Sequence, residues 1–217
     1  MLRKAADSMS IAVVLLALCF AGRALLAHRL DSVSSVARDS PSAEVLRAMQ
    51  TGDRLGSESA PVTILLFASY SCSFCRQFDV SVRRLLARYP EHVGVVVKHF
   101  VPVRAGTAWE LALGAECAAR QAAFPAFHGW AMTDVDAVRG PDGWRKALES
   151  IEFRDGEEYI RCVESEATSS DLAADYEDAR ALGVSSAPTF FVNGEEHQGA
   201  VSFARLDSVV VRRFPGR

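Results

Sequence analysis

The sequence carries no surplus of positive charge: 24 lysines and arginines stand against 27 aspartates and glutamates. A nucleic-acid binder needs a basic stripe to meet phosphates, and none runs along this chain, so nucleic acid is not expected as a partner. No internal repeat and no long low-complexity run is present, which argues against a repeat array and against disorder. Cysteine is scarce, five in 217 residues, too few for a disulfide-dense miniprotein. Only four methionines occur, none beside a cysteine pair in sequence. What remains is ordinary globular composition, 49% hydrophobic and 24% charged, and enough chain for one well-buried core.

The first thirty residues differ from the rest. Arg3 and Lys4 precede "IAVVLLALCFAG", Arg23 interrupts, and "ALLA" continues to Ala27. A basic start followed by such a run reads as a signal anchor or a signal peptide. Counted through Arg23, Ser8 to Ala27 makes 20 residues, enough to cross a hydrocarbon core of about 30 Å. "ALLA" lacks the A-x-A cleavage pattern, so a retained membrane anchor through residues 8–27 is favoured over a cleaved peptide. Cys19 lies inside this run and reads as membrane-embedded. Setting aside the +3 of residues 1–30 takes the charge from −3 for the chain to −6 for the remainder.

Residues 31–55 read as a tether with a short helical piece at "SAEVLRAMQ". "VTILLFA" (62–68) reads as a buried central strand. "RQFDVSVRRLLARY" (76–89) puts Phe78, Val82, Leu85, Leu86 and Tyr89 near helical spacing, and Pro90 ends it. "VGVVVKHFV" (93–101) is a second strand, which completes a βαβ unit. From residue 107 to 183 the chain is helical in character, broken at "GPDG". "PTFFVNGEEHQGAV" (188–201) is a hairpin around Asn-Gly, and residues 202–214 close with an amphipathic helix. The expected fold is therefore α/β: a thioredoxin-like core in two parts, 56–106 and 184–217, interrupted by a helical insertion at 107–183.

Cys72 and Cys75 stand where the first buried strand stops and a helix starts. Backbone N–H groups at a helix N-terminus lack intrahelical partners, and with the helix dipole they stabilise a thiolate. A second cysteine three residues on lies in the same turn and can close a disulfide. That predicts Cys72 as the attacking thiolate and Cys75 as the resolving thiol. A zinc site would need two further ligands, and Cys117 and Cys162 stand alone in separate helical stretches. A purely structural bridge between Cys72 and Cys75 would close a tiny loop and stabilise little. No metal is therefore expected.

"APVTILLFASYSCSFC", "VVVKHF", "ALGAECAARQ", "FHGW" and "ALGVSSAPTFFVNG" run in order over roughly residues 55–213. In these segments the chain resembles the DsbA-like branch of the thioredoxin superfamily, the extracytoplasmic thiol:disulfide oxidoreductases. The resemblance implies that Ala187–Pro188 is a cis bond facing the cysteines, and that Ala187 presents its backbone to substrate. It implies exchange of disulfides with protein substrates through the dithiol, most simply as an oxidase. No cofactor is called for, the location is extracytoplasmic or periplasmic, and a membrane partner would reset the dithiol. Three residues depart from the family pattern. Ser73 follows the first cysteine where proline is common, Phe74 occupies the place of a histidine in strong oxidants, and Ser69 stands where many members have aspartate. Ser73 and Phe74 are expected at the substrate surface, Phe74 as an apolar contact. A reductase or isomerase remains the alternative within the enzyme class. Outside it stands a binding module for Cu(I) or unfolded chains.

In an oxidising compartment Cys117 and Cys162 suggest a structural disulfide, with two buried free thiols as the alternative. His99 and His128 read as structural histidines and His197 as solvent-facing. Trp109, Trp130 and Trp144 read as insertion core or groove lining.

Overall fold

The computed structural model describes residues 42–133 and 143–214. The chain divides into two units, Met1–Ser40 and Pro41–Arg217, and the described residues all lie in the second. The expected membrane segment at 8–27, and Cys19 with it, fall outside the described residues. Among those described, no helix is long and apolar enough to cross a membrane.

In chain order the elements are α1 (Ala43–Ala48), β1 (Asp53–Gly56), β2 (Val62–Ala68), α2 (Ser73–Arg88), β3 (Val93–His99), α3 (Gly106–Ala119) and α4 (Phe124–Thr133). Then come α5 (Gly143–Ser150), α6 (Gly156–Glu164), α7 (Ser169–Ala181), β4 (Thr189–Val192), β5 (Glu195–Gln198) and α8 (Phe203–Val211). The strands form one sheet in the order β1-β3-β2-β4-β5. β2 and β3 are parallel, as a strand–helix–strand crossover requires, and the other pairs are antiparallel.

β2 is apolar throughout because both of its faces are covered. Ile64 and Leu66 point into the larger core with Phe78, Val82 and Leu85 of α2, and Leu206, Val209 and Val210 of α8. Leu65 and Phe67 point the other way, against Val45 and Ala48 of α1 and Ala179 of α7. Asn193 and Gly194 turn the β4–β5 hairpin with φ of 48° and 86°, the paired positive values a two-residue turn of this type needs. In α3, a Cβ on Gly114 would meet Trp144 and Phe127 side chains at 2.6 and 2.7 Å. Only glycine lets α4 and α5 approach α3 so closely.

Two features differ from the sequence expectation. The ordered unit takes in residues read as tether: Ser42 caps α1 through the Val45 N–H, and Asp53–Gly56 pairs with β3 as an edge strand. The helical piece read at "SAEVLRAMQ" is present as α1, while β1, at four residues, is too short for its period to show in sequence. His197 does not face solvent. Its ring stacks on Phe190 at 4.9 Å, and its side chain is 12% exposed.

Candidate active site

β2 runs out at Ala68, and Ser69–Tyr70–Ser71 carries the chain to the start of α2. Cys72 is the N-cap of that helix, in extended conformation, and its sulfur accepts the Cys75 N–H at 3.1 Å. This is the position at which helix N–H groups face outward without partners. The Cys72 thiol is half-buried and directs its hydrogen bond to the Ala187 carbonyl at 3.4 Å. The Ala187–Pro188 peptide is cis. It lies just before β4, which pairs with β2, so strand pairing carries a residue 115 positions downstream to the first cysteine.

Cys75 sits one turn into α2 and is 2% exposed. Burial, and then its hydrogen bond with Cys72, push its thiol well above the ordinary cysteine range. Both sulfurs are unpaired. Phe74 between them is 63% exposed, and Ser73 is exposed beside it. An apolar ring this exposed is available to another chain.

Behind the cysteines lies a buried polar layer. The Tyr70 hydroxyl meets His128 Nδ1 at 3.2 Å, and His128 Nε2 meets Asp79 Oδ1 at 3.3 Å. Arg83 pairs with Asp79 at 2.9 Å and closes the row. Burial raises the Tyr70 hydroxyl far above the usual tyrosine range, so it stays protonated. Farther along, Lys98 is fully buried and donates to Thr51 O, Thr51 Oγ1 and Asp175 Oδ1 at 2.9, 2.8 and 2.8 Å, and lies 3.1 Å from Asp178. The other oxygen of Asp175 accepts the His99 N–H at 2.7 Å. These contacts fasten the segment after α1 at Thr51, β3 and α7 together. Cys117 of α3 and Cys162 of α6 are joined as a disulfide, away from the dithiol.

The structure thus places Cys72, Ser73, Phe74, Cys75, Ala187 and Pro188 in one neighbourhood, with Cys117 and Cys162 outside it. The buried partners Asp79, Asp175 and Asp178 were not found from sequence. Each is an acid inside a helix, where charge ordinarily marks the solvated face.

The thioredoxin family model matches residues 49–211. Among curated proteins, the chain is 31% identical over 160 residues to Na(+)/H(+) antiporter NhaA 3 of Salinispora tropica, across 73% of this chain and 24% of that protein. The chain thus spans about a quarter of the length of the curated relatives it matches. Among solved structures, a thioredoxin-like oxidoreductase from Silicibacter pomeroyi DSS-3 superimposes with a TM-score of 0.63 at 26% identity, covering 75% of this chain and 91% of its own. BdbD from Bacillus subtilis in its oxidised form superimposes with a TM-score of 0.65 at 17% identity, covering 80% and 95%.

Proposed function

The chain belongs to the thioredoxin family, and we propose that it is a DsbA-like thiol:disulfide oxidoreductase that oxidises protein thiols outside the cytoplasm through Cys72 and Cys75. The asymmetry of the pair carries this reading. One sulfur is half-exposed at a helix N-cap, and the other is buried one turn in. Thiol–disulfide exchange uses two sulfurs in those two situations, one to meet substrate and one to release it.

The reaction starts from the Cys72–Cys75 disulfide. A substrate thiolate attacks the accessible Cys72 sulfur. The Cys72–Cys75 bond breaks, a mixed disulfide forms at Cys72, and Cys75 leaves and takes up a proton. A second substrate thiolate then attacks the substrate sulfur of that mixed disulfide, and Cys72 leaves. Two electrons have moved from substrate to enzyme, and a substrate disulfide has formed. Burial of Cys75 keeps its sulfur from a second chain, so attack falls on Cys72, and Cys75 once released holds its proton.

Phe74 and Ser73 meet the substrate, and the Ala187 backbone beside Pro188 pairs with an extended stretch of it. The Cys117–Cys162 bridge is structural. Residues 8–27 anchor the domain to the cytoplasmic membrane, residues after them act as tether, and a membrane redox partner reoxidises the dithiol. The antiporters share one quarter of their length with this chain, and ion transport is no part of the proposal.

The test is trapping. Cys75→Ser, with Cys72 first charged as a mixed disulfide with glutathione, should accumulate a disulfide between Cys72 and a reduced, unfolded substrate protein as glutathione departs, and Cys72→Ser treated the same way should accumulate none. Equal trapping by both variants, or by neither, would contradict the assignment.

A further inference from the structure

Three groups that take no part in the exchange chemistry converge where the sheet edge meets the insertion. They are Asp53 of β1, His99 at the end of β3 and Glu116 of α3. His99 is 2% exposed, and its Nε2 has no hydrogen-bond partner. It points between two carboxylates, 3.6 Å from Asp53 Oδ2 and 3.7 Å from Glu116 Oε1. Asp53 Oδ2 is likewise buried and unpartnered. The three donor atoms lie within 4.8 Å of one another.

These distances are too long for hydrogen bonds, which need roughly 2.7–3.2 Å. They suit a shared ion. Two donors each about 2.1 Å from one metal and about 110–120° apart stand about 3.4–3.6 Å from each other. The local charge favours a cation as well. Asp53, Glu116 and Asp175 gather around His99, while the buried cation Lys98 is engaged by Asp175 and Asp178. Nothing but the His99 ring balances Asp53 and Glu116 among the described residues. We propose that Asp53, His99 and Glu116 bind a divalent transition-metal ion of the Zn2+ class, which ties the helical insertion to the sheet. One imidazole nitrogen with two carboxylates suits such an ion, and three protein ligands leave a fourth position for water. Ca2+ prefers six or more oxygens, which this cluster does not supply.

The site is independent of the oxidase reading, and its test keeps the two apart. The full chain is used with Cys72–Cys75 oxidised, so that the dithiol cannot take zinc. Zn2+ is titrated in competition with a chromophoric chelator. One equivalent should bind, and binding should weaken at least tenfold in Glu116→Gln and in Asp53→Asn. No binding, or binding unchanged in both variants, would overturn the proposal, as would tight Ca2+ binding without a Zn2+ response. Histidine ring NMR on the unaltered protein guards against misfolded variants. The His99 resonances should shift on adding one equivalent of Zn2+; a shift confined to His28, His92, His128 or His197 would overturn the site.

Discussion

Replacing both Cys117 and Cys162 by alanine should cost the domain about 4–5 kcal/mol. The bridge joins α3 to α6 and closes a loop across a sequence separation of 45. Releasing such a loop in the unfolded chain is worth about 4 kcal/mol in the chain-entropy account. Both sulfurs are buried, at 1% and 6% exposure, and losing their contacts adds a smaller cost on the order of 1 kcal/mol. The assay is equilibrium urea unfolding followed by tryptophan fluorescence. All three tryptophans report from the inserted helices: Trp109 in α3, Trp130 in α4 and Trp144 in α5. Cys72 and Cys75 must be held in the same redox state in both proteins. With a slope of about 2–3 kcal/mol/M, the midpoint should fall by about 1.5–2 M. The slope itself should rise, because an unbridged chain exposes more surface when unfolded. A loss below about 1 kcal/mol with an unchanged slope would refute the reasoning. It would mean that the two cysteines are unlinked, or that the unfolded insertion is already compact without them.

Lys98→Met should destabilise by about 3–5 kcal/mol, because it leaves Asp175 and Asp178 buried with one partner fewer; the same unfolding assay reads it, and a loss under about 1 kcal/mol would deny the buried pairing. Phe74→Ala should slow reaction with an unfolded protein substrate severalfold while leaving reaction with a small thiol unchanged, and equal slowing of both would remove its docking role. Brief alkylation of the reduced native protein at pH 8 should mark Cys72 and spare Cys75, whose buried thiol stays protonated; fragment mass spectrometry of the shared peptide distinguishes them, and equal labelling would contradict the burial argument. Burial lowers the His197 pKa below its ordinary value. The unfolded chain therefore binds the proton more readily, and this group's contribution to stability is lost as pH falls through about 6.5 and below. The loss of stability between pH 7 and pH 5 should shrink in His197→Gln, and an identical pH profile would count against it.

The strand–helix–strand start was legible because both faces of β2 are covered, which writes a continuous apolar run into the sequence. The hairpin was legible because Asn193-Gly194 is the turn its backbone demands. The dithiol was legible from its place between strand and helix, and the Ala187–Pro188 segment from its run of matching residues. Other features were not. β1 is too short to carry a period, and the packing of α1 against α7 and the pairing of β1 with β3 come from residues far along the chain. Asp53, His99 and Glu116 share no local spacing, since a strand edge, a strand end and a helix bring them together. Asp175 and Asp178 look like a solvated helix face until Lys98 and His99 are seen beneath them. A buried charge is visible in sequence only when its partner is near in sequence, and here the partners stand about 77 residues apart.

The central claim is that Cys72 and Cys75 form a reversible two-electron couple poised to oxidise. The measurement that tests it most directly is the reduction potential of the full chain equilibrated in glutathione buffers. The account predicts a single couple, absent in Cys72→Ser, with a potential near the oxidising end of the family range, about −120 mV. A potential near about −270 mV would contradict the oxidase direction and mark a reductase. The absence of any reversible dithiol couple would contradict the enzyme itself.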